Sequence, residues 1–503
     1  MLLLGIDLGT SSVKVSVIDA ATRQCLASVS YPETEREIKV RQPGWAEQDP
    51  QLWWHDVRQA ILKAHASQAY DPQEIGAIGI AYQMHGLVLV DEHQQVLRDA
   101  IIWCDSRAVP YGEQAFKAIG PERCLSTLLN SPGNFTAAKL AWVKAQEPSV
   151  YQHIKHVMLP GDFIGLQLTG KAVTSVSALS EGILWDFAEH MLSEDVLRFF
   201  GFDRKLIPPV KEVFSTHGQL LDAVAQELGL APGIPVTYKA GDQPNNAFSL
   251  NVLRPGEVAA TAGTSGVIYA VTDDLFVDRL SRVNTFAHVN HTPELPRLGV
   301  LLCINGAGCM NRWVRQAVGP NLSYAEVNWR INQVPAGSEG LLCLPFGNGI
   351  ERMLPHGSMG ASFLNLDLNL HGGNHLIRAA QEGVAFAFRY GLDVMRENGL
   401  YPTVIKAGKA NMFLSEVFAQ AFVNATGLVV ELYQTDGATG AALGAGVGAG
   451  TFATPDDAFR HMRPLQIIAP NEDAEVYEQT YHRWKEALLH GQQPARKQES
   501  SHF

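Results

Sequence analysis

Charged residues are scarce in this chain, at 18% of 503 positions, and the balance they leave is acidic, with a formal net charge of −12. A surface of that sign repels a long polyanion, which argues against nucleic acid or a membrane as the main partner and favours a small ligand. Cysteine is sparse too. The six thiols, at positions 25, 104, 124, 303, 309 and 343, show no CxxC and no paired spacing, so no disulfide framework is implied and a reducing cytoplasm is the expected compartment. Long apolar runs are missing as well, since no stretch of about 18 residues escapes charge or turn signals as a membrane span would require. The opening MLLLGID has no basic region and soon reaches Asp7, unlike a secretory signal.

What the chain does have is apolar residue, 46% of the total, and length. A chain of this size exceeds a single core and divides into domains of ~100–250 residues. The turn Leu253-Arg254-Pro255-Gly256 marks the expected boundary, giving domains at 1–252 and 253–487 and a polar, frayed tail at 488–503. β-rich runs at 77–83 and 86–97 alternate with helical stretches at 51–66 and 136–146, an α/β pattern.

Two segments repeat. GIDLGTSSVKVSVID begins at Gly5 and GTSGVIYAVTD at Gly263; at a constant offset Gly9-Thr10-Ser11 lies over Gly263-Thr264-Ser265, and Val13, Val17 and Asp19 over Val267, Val271 and Asp273. Each reads as a hairpin whose turn offers backbone N–H groups and small hydroxyls to a phosphate oxygen. The copies differ at one telling place, where the first carries Asp7 and the second Thr261. A second pair, IPVTYKAGDQPNNAFS (234–249) and YPTVIKAGKANMFLSE (401–416), each reads as a strand, Lys-Ala-Gly and a helix. The first half has more residues between its two elements, and that extra material is where most substrate contacts are expected.

Three apparent motifs dissolve on inspection. GLQLTGKA (165–172) approaches a phosphate loop but ends in Ala172, without the hydroxyl that would ligate magnesium, and reads as a helix ending at a glycine cap. In GAALGAGVGAG (440–450), Gly440, Gly444 and Gly448 recur on one helical face, a signature of close packing and not of a dinucleotide turn. His288, His291 and Cys303 lack a fourth ligand at any zinc-like spacing.

The paired hairpins and strand–glycine–helix turns resemble the actin-like ATPase superfamily. GWAEQDPQLWW (44–54), FTAAKLAWV (135–143), AGDQPNNA (240–247), TAGTSG (261–266) and HLIRAAQEGVAF (375–386) narrow the resemblance to the FGGY family of carbohydrate kinases over roughly residues 2–485. The resemblance implies two actin-like ATPase (ribonuclease H-like) α/β domains with a cleft between them, ATP and Mg2+ as cofactors, and a sugar as the small-molecule partner. A homodimer is the assembly expected, with D-xylulose as the acceptor. Another ketose or polyol is the alternative, and beyond that a nucleotide-switched binding protein of the superfamily.

Phosphoryl transfer needs an acceptor for the hydroxyl proton and neutralisation of phosphate charge. Asp242, after a glycine at the end of a β-rich run, is the candidate general base, although a helix N-cap aspartate has the same local pattern. Asp7 is the candidate magnesium ligand, acting through water, or else a structural turn acid. Met84 and His85, in a QMHG element similar to the family's sugar-lining one, and Gln243, where a related member commonly carries Asn, are assigned to the sugar; a satisfied strand-end histidine is the plainer reading of His85. Thr10, Ser11, Ser12, Gly263, Thr264 and Ser265 are assigned to the β- and γ-phosphates, and Gly408 and Asn411 to the adenosine. Lys14 reads equally as a phosphate contact or a solvated strand lysine.

Overall fold

The computed structural model describes residues 1–354, 357 and 359–491. The chain divides into two compact units. One comprises Met1–Pro255, Val271–Val300 and Thr435–Arg463; the other comprises Gly256–Ala270, Leu301–Gln434 and the chain from Pro464 onward. The first break falls between Pro255 and Gly256, and the second half of the chain also contributes two segments to the first unit.

The first unit is built on a six-stranded sheet. Its strands run in the order Phe214–Gln219, Pro235–Gly241, Ile75–Tyr82, Leu2–Leu8, Val13–Asp19, Cys25–Tyr31. The last three form an antiparallel meander, and Ile75–Tyr82 and Pro235–Gly241 extend it in parallel. Alternation along the first strand decides what each residue meets. Leu2, Leu4, Ile6 and Leu8 enter the core shared with helix Pro50–His65 and helix Pro160–Thr169. Leu3 enters the core on the opposite face, together with residues of helix Gly437–Gly448.

Gly5 lies on that second face because the helix leaves no room for a side chain: a Cβ there would stand 1.9 Å from the Ala438 carbonyl oxygen. The stretch read as a packing helix is that helix. Gly440, Gly444 and Gly448 abut Ser249, the Tyr238 ring and the Thr237 carbonyl, each closer than a Cβ would permit. This packing is why the Thr435–Arg463 segment belongs to the first unit. Likewise 165–172 is the end of helix Pro160–Thr169, capped by Gly170 at φ 68°.

Six strands of a second, seven-stranded sheet repeat the order of the first sheet read from its opposite end, with Leu298–Ile304, Gly266–Thr272, Glu257–Ala262, Val404–Gly408, Val430–Tyr433 and Gln466–Ile468 as successive neighbours and Asn284–Ala287 as the seventh strand beside Leu298–Ile304. Glu257–Ala262 pairs antiparallel with Gly266–Thr272 and parallel with Val404–Gly408. Helix Gly373–Glu397, apolar on several faces, packs on helix Glu416–Thr426. Helix Ala474–Gly491 buries Tyr477, Tyr481 and Trp484, and the Trp484 indole donates to the Cys343 carbonyl at 2.7 Å. Leu488 is buried on that helix, so ordered chain continues into the expected 488–503 tail as far as Gly491; residues 492–503 lie outside the described residues. No helix among the described residues is long and apolar enough to cross a membrane.

Candidate active site

The first unit gathers its ionisable groups where its central strands end. Asp7 lies on the same strand face as Leu3 and Gly5, one step beyond them, and meets the start of helix Gly437–Gly448. A Cβ on Gly437 would lie 2.1 Å from the Asp7 carboxylate, so glycine is the residue that lets a helix N-terminus approach this acid, where the helix dipole favours negative charge. The Asp7 side chain keeps a partial opening to solvent. Even so, burial, reinforced by the Asp242 and Asp436 carboxylates and opposed by Lys14, raises it to about 7.

Lys14 stands directly opposite Asp7 in the hairpin register. Its Nζ is 2.5 Å from Asp436, which caps helix Gly437–Gly448 by accepting from the Thr439 N–H at 2.8 Å. The structure therefore turns Lys14 toward Asp436, a residue that sequence reasoning passed over although Asp-Gly before a glycine-rich helix is a cap signal.

Asp242 opens helix Asp242–Ser249, and the cap position is Gly241, so the aspartate is not the N-cap. Burial raises its carboxyl to about 6, against the pull of N–H donors at the helix start and of the Gln243 side-chain amide. Two residues further on, Asn245 donates to the Gly437 carbonyl at 2.8 Å and accepts from the Tyr238 hydroxyl at 3.1 Å, tying this helix to the Asp7 corner.

Met84 and His85 follow strand Ile75–Tyr82, the parallel neighbour of the strand that ends at Gly241. Met84 is buried and fills the space in front of Gly241, where a Cβ would come within 2.6 Å of its Cγ. The His85 ring packs on Phe135 and Phe286, with centroids 4.8 and 5.3 Å away, and those two rings also pack on each other. Two buried groups absent from sequence reasoning touch it: Glu181, and Lys139, whose Nζ donates to the His85 carbonyl at 2.7 Å. Burial pushes Glu181 up to about 8 and Lys139 down to about 7.

The first turn is braced from all sides. The Thr10 hydroxyl donates to Gln83 at 3.3 Å and accepts from the Trp103 indole at 2.9 Å, and the Thr10 carbonyl accepts from Gln48 at 2.7 Å. Ser11 offers its carbonyl to the Arg36 N–H, and Gly9 N–H closes onto the Ser12 carbonyl at 3.0 Å. Ser11 and Ser12 remain partly exposed.

In the second unit the Gly263-Thr264-Ser265 turn meets the start of helix Gly308–Val318, where Gly308 and Cys309 N–H donate to the Gly263 and Thr264 carbonyls at 3.0 Å each. Beside it lies a cavity of about 320 Å³, within the ~300–1,000 Å³ of small-molecule sites. Of the residues assigned to nucleotide, Gly263, Thr264 and Asn411 line it, while Ser265 and Gly408 are not among its walls. Asn311, Arg312, Tyr324, Asn328 and Gln381 are among its other walls. Gln381 accepts from Ser415 at 2.9 Å and donates to Asn311 at 3.3 Å, holding the back wall. It lies inside the HLIRAAQEGVAF motif, a signal read for family and not for site.

The histidines set aside as zinc ligands have other work. The His288 Nε2–H donates to the Val252 carbonyl at 2.9 Å, and His291 Nδ1 accepts from the Arg297 N–H. Among the described residues no cluster of three or more His, Cys, Asp or Glu is placed to hold a metal.

The N-terminal domain model of the FGGY family of carbohydrate kinases matches residues 2–249. A xylulose kinase of Escherichia coli (strain K12) is 32% identical over 502 residues, covering 97% of this chain and 99% of that protein. The solved xylulose kinase of Rhodospirillum rubrum superposes with a TM-score of 0.85 at 26% identity, covering 97% of this chain and 99% of that one. A gluconate kinase from Lactobacillus acidophilus gives a TM-score of 0.87 at 21% identity, covering 98% of each chain, so the fold is shared across sugar acceptors. The strand order common to both units is that of the two-domain actin-like ATPase fold expected from the sequence.

Proposed function

This chain belongs to the FGGY family of carbohydrate kinases, and on that premise we propose that it transfers the γ-phosphoryl group of ATP to D-xylulose, giving D-xylulose 5-phosphate. The observation that carries the chemistry is Asp242. A carboxyl raised to about 6 is ionised at neutral pH, yet it is more basic than an ordinary aspartate and so better matched to taking a proton from a sugar hydroxyl. The helix-start N–H groups and the Gln243 amide orient it without neutralising it. Met84 and His85, adjoining Gly241, would present an apolar wall and an imidazole to the sugar.

The first-unit turn with Ser11 and Ser12 would meet the terminal phosphates, and the second-unit cavity behind Gly263 and Thr264 would take the adenosine. Asp7 would hold Mg2+, with Asp436 nearby, and the donor set fits a hard cation: mutually repelling carboxylates around an acid raised to about 7 are relieved by positive charge. When bound, such an ion supplies charge neutralisation at the phosphate oxygens. With so few protein ligands at hand it would keep much of its water.

The choice of D-xylulose rests on the Met84-His85 element and on relatives named xylulose kinase. ADP release with D-xylulose, D-ribulose, glycerol and D-gluconate tests it. D-xylulose should lead by tenfold or more in kcat/KM, because each buried polar partner left unpaired by a mismatched sugar costs about 1–3 kcal/mol. Another acceptor leading by tenfold would keep the kinase and remove xylulose.

A further inference from the structure

His85 has a backbone φ of 60°, the left-handed region, which a residue bearing a Cβ occupies only where its surroundings hold it there. Those surroundings are specific. The Glu181 carboxylate accepts from the His85 N–H at 3.0 Å with one oxygen and from the Tyr82 hydroxyl at 2.7 Å with the other. The Lys139 ammonium donates to the His85 carbonyl at 2.7 Å. Both main-chain polar groups of His85 are thus gripped by side chains, one from each side. The ring is fixed as well: its Nδ1 lies 3.0 Å from the Glu181 main-chain carbonyl oxygen, and since a carbonyl only accepts, Nδ1 carries a proton.

Glu181 and Lys139 are 1% and 0% exposed, a placement that opposes the charge on both. Glu181 also adjoins the strand end before the base, since a Cβ on Gly241 would stand 3.2 Å from its Oε1. Each of these buried ionisable side chains grips the His85 backbone, where an apolar pair would pack at lower cost.

We propose that Glu181 and Lys139 are positioning residues of the sugar site, whose side chains clamp the His85 backbone in its left-handed conformation. The inference rests on the reading that His85 meets the sugar.

The test is a cycle of variants read by separate KM values for D-xylulose and ATP. Glu181→Ala and Lys139→Met should each raise the sugar KM tenfold or more and leave the ATP KM within twofold, with Glu181→Gln, which keeps one acceptor oxygen, falling between Glu181→Ala and the parent. In a His85→Gly background the left-handed backbone costs nothing, so adding Glu181→Ala should change the sugar KM less than twofold. Should Glu181→Ala fail to fold, Glu181→Gln replaces it in the same cycle. An unchanged sugar KM in the single variants, or an undiminished loss in the His85→Gly background, overturns the clamp. A His85→Gly variant with the parent's sugar KM overturns the sugar-site reading itself, and the clamp with it.

Discussion

The two Gly-Thr-Ser hairpins start from one pattern and end in different uses. In the first, the turn spans Gly9 to Ser12 and Asp7 stands opposite Lys14; in the second, it spans Gly263 to Ser265, tighter by one residue, and Thr261 stands opposite Val267. The first turn is held by side chains, Gln48, Gln83 and Trp103, around Thr10. The second is held by the start of a helix, which donates to its carbonyls and walls a cavity. The longer turn therefore serves charge, with an acid, a lysine and a helix terminus converging, while the shorter one serves shape. A duplicated backbone device diverged through the partner each turn acquired.

The largest effect expected on this division comes from Asp242→Asn, which keeps the shape but cannot accept a proton. Turnover should fall by about 10²–10⁴, the range general base catalysis contributes, with sugar affinity by calorimetry within threefold of the parent. Activity within tenfold would remove Asp242 as base.

Asp7→Asn should lower turnover and raise the Mg2+ concentration needed for half-maximal rate, and an unchanged magnesium titration would make Asp7 structural. It should also stabilise the fold in one direction of pH. The Asp7 pKa is raised from 3.8 to about 7, so the folded state holds this proton more tightly than the unfolded state. Its unfavourable ionisation develops as pH rises from about 4 and is complete above about 7. Thermal melts should therefore show a larger gain in Tm for Asp7→Asn at pH 8 than at pH 5.

The converse change, Thr261→Asp, sharpens the comparison. With valine opposite it, the new carboxylate has no lysine partner, so Tm should fall by a few degrees, at about 2–4 °C per kcal/mol for a domain of this size, and the magnesium titration should not move. A new magnesium dependence would mean that the two turns are interchangeable.

Smaller effects belong to the groups that tune the acids. The kcat/KM profile should rise through about pH 6 as Asp242 ionises. Gln243→Ala, which removes a donor that lowers Asp242, should move that limb to higher pH; a shift to lower pH would contradict the hydrogen bond.

What could be read from the sequence was whatever is local or periodic. Gly9-Thr10-Ser11 and its copy announce two turns between β-rich runs, and glycines at 440, 444 and 448 announce a face pressed against something. That Asp242 follows a strand and begins a helix was legible for the same reason. Glu181, Lys139 and Asp436 were not, because each matters through a partner in a distant segment: His85 for the first two, Lys14 for the third. The return of Thr435–Arg463 to the first unit was hidden likewise, since it depends on Gly5 and Gly79 making room for a helix more than 350 positions away.

The division of labour is tested most directly by one matrix of Michaelis constants, for D-xylulose and for ATP, in His85→Ala and in Asn311→Ala. Opposite entries are expected: His85→Ala raises the sugar constant by tenfold or more with the ATP constant within twofold, and Asn311→Ala does the reverse. If either variant raises both constants together, the sugar and the adenosine do not belong to the separate units assigned to them.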